Sequence, residues 1–284
     1  MKTIIYCLLC LFCSSGVSFT QPPHEKTKTV ILQAIDSKVS SELLMESSKI
    51  ITERLKTYEL KATVNFLSEK GQIEVQLPEN TDISEIEGLL TSKGTLGFYE
   101  TLTLDEISGY LNNKNQLAKK ESQLSPTDAK IGCSAFEDSI MFDTVKSYLK
   151  RINLYKNIKL IWSLKNKESR TCLYALKTND AGDPPLTGSD IETISSSIDK
   201  NSQSFNIELK FKPQSAVIWS DMTKKNINKP IAEVIDEKVY YTPVVKARIE
   251  NGLCEISGNL TQKEANYFIA LVRNGPLPMA FRLK

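Results

Sequence analysis

The chain has 284 residues, 40% apolar and 25% charged, which supports a substantial core in one or two domains. Thirty-six Lys and Arg against 34 Asp and Glu leave a net charge of +2, without the basic excess of a nucleic-acid binder. The single histidine, His24, leaves no base for a Ser-His-Asp or Cys-His arrangement deeper in the chain and no histidine-built metal site.

Lys2, the apolar run from Ile4 to Phe12, and the small or polar Ser14, Ser15, Gly16 and Ser18 read as a secretory signal peptide over residues 1–20. Cleavage is expected after Ser18-Phe19-Thr20, ahead of Gln21. The run is shorter than the roughly 20 residues of a membrane span, although an uncleaved leader would still act as an N-terminal anchor. No later window is long and apolar enough to span, so the expected location is the periplasm or cell envelope. Cys133, Cys172 and Cys254 follow the leader. In an oxidising compartment, three cysteines allow one disulfide and one leftover thiol. Cys133 with Cys172 is the expected pair, both lying in the middle segment, and three unpaired buried thiols are the alternative.

The first segment has the rhythm of an α+β unit. Thr29 to Ile35 reads as a strand, and Ser40 to Thr57 as a helix with Leu44, Ile51 and Leu55 on one face. Leu60 to Phe66 and Gln72 to Leu77 form a hairpin across Ser68-Glu69-Lys70-Gly71. Asp82 with Glu85 opens a helix carrying Ile83, Ile86 and Leu90, and Thr95 to Thr101 is the expected fourth strand. The succession is that of a ferredoxin-like base over residues 21–103. Residues 104–130 are polar and read as a helix-rich linker or an exposed excursion within a connecting segment, 104–180. That segment also holds a helix over 138–152 and a hairpin of Lys159 to Leu164 with Thr171 to Leu176.

A second α+β unit, the head, follows over 181–275, with 276–284 returning to the base. Ser189 with Glu192 reads as a capping box for a helix bearing Ile191, Ile194 and Ile198. Phe205 to Phe211 is a strand, and Trp219 to Asn226 a short helix. Ile231 to Ile235 pairs with Val239 to Thr242, and Val244 to Ile249 with Leu253 to Ser257 across Asn251-Gly252. Thr261 with Glu264 caps a last helix whose Ala265, Phe268, Ile269 and Val272 face inward until Gly275.

One ordered set of motifs is distinctive: Leu186-Thr187-Gly188-Ser189-Asp190-Ile191, Met222-Thr223 with Asn226 and Lys229, Val239-Tyr240-Tyr241-Thr242-Pro243, Ile256-Ser257-Gly258, Thr261 with Glu264-Ala265, and Gly275-Pro276-Leu277-Pro278. The chain resembles the first periplasmic domain of the SecD protein-export subunit family, head and base together. The resemblance implies an accessory of the Sec translocon. Its periplasmic domain engages emerging polypeptide, while intramembrane helices carry the proton-driven motor. Three departures stand out. The chain reads His24-Glu25-Lys26-Thr27-Lys28 where the family has a glycine-rich motif, reaches Phe281-Arg282-Leu283-Lys284 where the next span is expected, and has Tyr241-Thr242 where small residues are commoner.

The residues themselves argue against catalysis. Asp190 with Glu192 could be taken for an acid–base pair, but one caps a helix start and the other completes the cap, and that structural reading is the preferred one. Cys254 has no cationic cluster nearby and reads as a buried structural thiol. No cofactor or metal is implied. Holding an extended chain needs only apolar contact or a sheet edge, and Trp219, Met222, Tyr240 and Tyr241 are the candidate surface, with core packing as the competing role for each. The expected partners are exported or unfolded polypeptide and membrane subunits of the Sec translocon. The alternative is a structural module docking on a folded partner in the envelope.

Overall fold

The computed structural model describes residues 26–36, 39–103, 106, 129–151, 155–166, 168–200 and 202–284. The signal-peptide expectation, His24 and nearly all of the excursion expected over 104–130 fall outside them. The elements in chain order are β1 (Thr27–Ala34), α1 (Ser41–Thr57), β2 (Thr63–Leu67), β3 (Gln72–Pro78), α2 (Ile83–Thr91) and β4 (Leu96–Glu100). Next come β5 (Lys130–Ser134), α3 (Ser139–Arg151), β6 (Ile158–Ser163) and β7 (Thr171–Lys177). The chain then runs through β8 (Leu186–Thr187), β9 (Ile191–Ile198), β10 (Phe205–Phe211) and α4 (Pro213–Lys225). It finishes with β11 (Ile231–Ile235), β12 (Lys238–Tyr241), β13 (Leu253–Leu260), α5 (Gln262–Arg273) and β14 (Phe281–Leu283). Among the described residues no helix is long and apolar enough to cross a membrane.

Local chemistry explains the helix boundaries. Ser40 Oγ accepts from the Leu43 amide at 3.2 Å to start α1, and Asp82 Oδ1 accepts from the Ser84 amide at 2.9 Å to start α2. Glu85 does not complete that cap, because its carboxylate faces Lys263. Pro213 opens α4 at a position where no amide donor is required. At α5 the box is reciprocal: Thr261 N donates to Glu264 Oε2 at 2.8 Å, and Glu264 N to Thr261 Oγ1 at 3.2 Å.

The strands form three sheets. The base sheet has the order β14-β1-β3-β2, the head holds a three-stranded sheet β13-β10-β9, and a seven-stranded sheet runs β5-β7-β6-β12-β11-β4-β8. The strand expected to complete the base, β4, therefore lies in a different sheet, paired with β11 and β8. Its place beside β1 is taken by β14, with Leu32 opposite Leu283 and Ala34 opposite Phe281. The burial of β4 explains this. Leu96, Gly97, Phe98 and Tyr99 are all buried, which suits a strand covered on both faces better than an edge.

Two further expectations are corrected. Residues 191–198 form β9, paired along β10, instead of a helix. The three isoleucines have helical spacing, but the capping box beside them belongs to Thr187 and Asp190 on a single 3-10 turn, after which Ile191 is already extended. The stretch from Val244 to Ile249 makes no hairpin with β13, which pairs with β10 instead. It is pinned to α4, where Ile249 N donates to Thr223 Oγ1 at 3.0 Å and Arg248 Nε to Ser220 Oγ at 2.8 Å.

Base and head share one continuous core, with α5 packed against α1 and α2 on one side and β9, β10 and β13 on the other. Ala265, Phe268, Ile269, Ala270, Leu271 and Val272 of α5 are all buried. Arg54 on α1, fully buried, fastens both crossings between the units. Its guanidinium donates to the carbonyls of Ser92 at 2.7 Å, Lys93 at 2.8 Å, Leu89 at 3.3 Å and Gly275 at 3.5 Å. Burial brings its pKa down to about 10, partly offset by Asp236 and Tyr267. Asp236 accepts from the amides of Gly94 and Thr95, each at 2.8 Å. A side chain at Gly94 would lie 2.4 Å from Arg54 Nη2, and its φ is +82°, so only glycine fits this crossing. In the connecting segment Cys133 stands opposite Cys172 on β5 and β7, and their sulfurs are bonded, with Cα atoms 4.0 Å apart. Cys254 is a free, buried thiol.

Candidate functional site

Where α1, α2, β12 and α5 meet, a groove of about 520 Å³ opens between base and head. Tyr58 follows the end of α1, and α2 contributes Glu85. Leu164 follows β6, β12 supplies Tyr240 and Tyr241, and Thr261, Lys263, Glu264, Tyr267 and Phe268 come from α5 and its cap. Alternation along a strand would send Tyr240 and Tyr241 to opposite faces. A bulge prevents that: Val239 pairs with Val234 and Tyr241 with Glu233, leaving Tyr240 as the extra residue. Both rings then approach Phe268, with centroids 6.2 Å and 5.5 Å away, and Tyr58 meets Tyr267 edge-on at 6.1 Å.

The groove is aromatic with a polar rim. Burial pushes the Tyr241 hydroxyl up to about 12, helped by the Glu233 and Glu264 carboxyls. Burial likewise raises Tyr240, Tyr267 and Tyr58. All four therefore stay protonated at neutral pH and can donate hydrogen bonds. Lys263 spans the mouth, held by the Glu85 carboxylate, which raises its pKa, and by the Tyr58 hydroxyl. Such a surface offers apolar ring faces and hydroxyl donors to a guest. Among the described residues no group of three or more His, Cys, Asp or Glu could hold a metal ion.

A family model described as the SecDF P1 head subdomain matches residues 163–279. This stretch is similar to a SecDF P1 head. A protein translocase subunit SecD of Calditerrivibrio nitroreducens is 36% identical over 77 residues, 27% of this chain and 15% of that protein. The SecD of Petrotoga mobilis is 25% identical over 212 residues, 74% of this chain and 38% of that protein. The chain thus corresponds to well under half the length of these SecD relatives. A crystal structure of SecDF in a super-membrane-facing form aligns with 90% of this chain and 29% of its own, at 22% identity and a TM-score of 0.50, which supports a shared fold.

Within the stretch similar to the SecDF P1 head the four candidate residues divide. Tyr240 and Tyr241 line the groove, whereas Trp219 and Met222 are core residues, each only 3% exposed. Trp219 packs on Phe98 and Phe211, at centroid distances of 5.8 and 5.1 Å, and its indole Nε1 donates to the Leu253 carbonyl at 2.9 Å. That corrects their assignment as a surface: α4 begins six residues before Trp219 and turns both side chains inward. Asp190 and Glu192 do not cooperate either. Burial favours the neutral form of Asp190, but hydrogen bonds from Ser215 and Thr187 outweigh it and hold its carboxyl below the usual range. Glu192 pairs with Lys210 at 3.2 Å. Tyr58, Tyr267 and Phe268 are groove residues that local pattern does not reveal. Phe268 belongs to an inward helical stripe, and nothing local signals that Tyr58, some 200 residues earlier by number, would meet Tyr267.

Proposed function

We propose that this chain serves Sec-dependent protein export as an exported, cell-envelope module, and that the groove around Tyr240 and Tyr241 holds translocating polypeptide. The observation that carries this reading is the SecDF P1 head match over 163–279, which contains every groove residue except Tyr58 and Glu85. The chemistry suits an unfolded guest. Ring faces take apolar side chains of many shapes, and tyrosine hydroxyls satisfy exposed backbone carbonyls. Membrane subunits of the translocon are the proposed partners supplying any motor. The role requires no bond-breaking step.

A photoreactive amino acid placed at Tyr240 or Tyr241 should trap a stalled export intermediate or a reduced, carboxymethylated model protein. The same probe at Val217, exposed on α4 outside the groove, should not. Equal trapping at Val217, or capture of a folded envelope protein alone, would overturn the groove as a polypeptide site.

A further inference from the structure

The head buries an acid that its packing leaves half-satisfied. Glu233 sits at the middle of β11 with no solvent exposure. Among the described residues one carboxyl oxygen has no hydrogen-bond partner, and the other meets only the Cys254 thiol of β13, at 3.7 Å. A buried carboxylate in that position would lack compensation for its lost hydration. Around it stand Cys254 from β13, with Glu255 acting on that thiol, and Tyr241 from β12, its register partner. Phe98 lies opposite on β4, and the Glu264 carboxyl of α5 acts electrostatically on Tyr241. Among the described residues no lysine or arginine contributes to its ionisation balance. The group therefore stays neutral well above ordinary carboxylate pH. Burial lifts it to about 8, against a small opposing effect of the thiol.

The position ties this acid to the groove described above. Tyr241, opposite Glu233, carries the ring that packs on Phe268. Cys254 follows Leu253, whose carbonyl receives the Trp219 indole. We propose that Glu233 makes the groove proton-linked: the neutral acid lets β11, β12 and β13 close around it and seat Tyr241, and loss of its proton loosens that packing and weakens the hold on polypeptide. The binding part rests on the proposed function; the packing part does not. Between about pH 4.5 and about pH 8 the unfolded chain has lost this proton and the folded chain keeps it. Stability from this group is thus complete below the lower value and drains away as pH rises through the higher one.

Trp162 and Trp219 are the two tryptophans, so the full chain carrying Trp162→Phe reports the Trp219–Leu253 contact by fluorescence. The expected result is one transition in Trp219 emission with a midpoint near pH 8. Affinity for fluorescein-labelled, reduced and carboxymethylated α-lactalbumin should fall above it by up to about tenfold per pH unit, the limit for one linked proton. Glu233→Gln should abolish both pH dependences. Cys254→Ala, which removes the thiol's hydrogen bond to the carboxylate, should move the emission midpoint upward and so provides a test even if the glutamine variant fails to fold. No transition in the parent, an identical transition in Glu233→Gln, or an unmoved midpoint in Cys254→Ala would overturn the proposal. An emission transition without polypeptide binding at any pH would sink the groove reading and leave the proton-linked packing standing. Binding that is strong and indifferent to pH would overturn the proton link to the groove and leave the polypeptide site standing.

Discussion

Two aromatic clusters, each built from distant parts of the chain, reach opposite outcomes. Phe98, Phe211 and Trp219 interlock inside the head, and all three are buried. The second cluster, Tyr58, Tyr240, Tyr241, Tyr267 and Phe268, packs at comparable ring distances but keeps its tyrosines half-buried along a groove. The difference lies in what covers each. Two sheets and α4 close over the first, whereas the second lies at the seam between base and head, where the shared helix α5 leaves one side open. Aromatic content alone therefore does not decide whether rings are sealed in a core or line a groove; their place at a seam between two units sharing a core does.

The comparison can be broken most sharply in the buried cluster. Trp219→Ala should cost about 3–5 kcal/mol, the usual loss for a core aromatic, read from urea denaturation, and should act on polypeptide binding only through unfolding. Replacing Cys133 and Cys172 together by Ala should cost about 3–4 kcal/mol from the 39-residue separation they span, with groove binding intact in the folded fraction. Tyr240→Ser with Tyr241→Ser should reverse the pattern. Stability should fall by only about 1–2 kcal/mol for partly buried rings, while binding of an unfolded polypeptide should drop about tenfold or more, measured by fluorescence anisotropy. Lys263→Ala removes an exposed ion pair with Glu85, so the melting temperature should not change measurably; a loss of several degrees would show that the rim braces the two units together.

Much of the fold is legible in the order of residues. Ser40, Asp82 and Thr261 begin helices where their side chains predict, because capping is decided within three residues. Hydrophobic periodicity places β1, β3, α1 and α5 for the same reason. Local pattern misleads where two periodicities compete. Ile191, Ile194 and Ile198 fit a helix, but the seryl run between them lies flat on β10, and pairing across the sheet overrides the local spacing. The loop from Val244 to Ile249 has strand character but is held by Thr223 and Ser220 of α4. At the site, Tyr240 and Tyr241 are conspicuous as two adjacent tyrosines near a strand end. Their common direction is not legible, since it depends on a bulge created by pairing with Glu233.

Residue order alone set the caps, most strands and helices, an economy of chemistry with one histidine, and the likeness to a SecD periplasmic domain. These rest on interactions within a few residues, or on patterns carried along the chain. Long-range packing settled the remainder: β14 closes the base, Arg54 fastens both crossings, and Trp219 is core while Tyr241 lines a groove. It also sealed Glu233 beside a thiol. Each of these depends on desolvation by residues far apart in sequence, and burial is a property that no short stretch of chain carries alone.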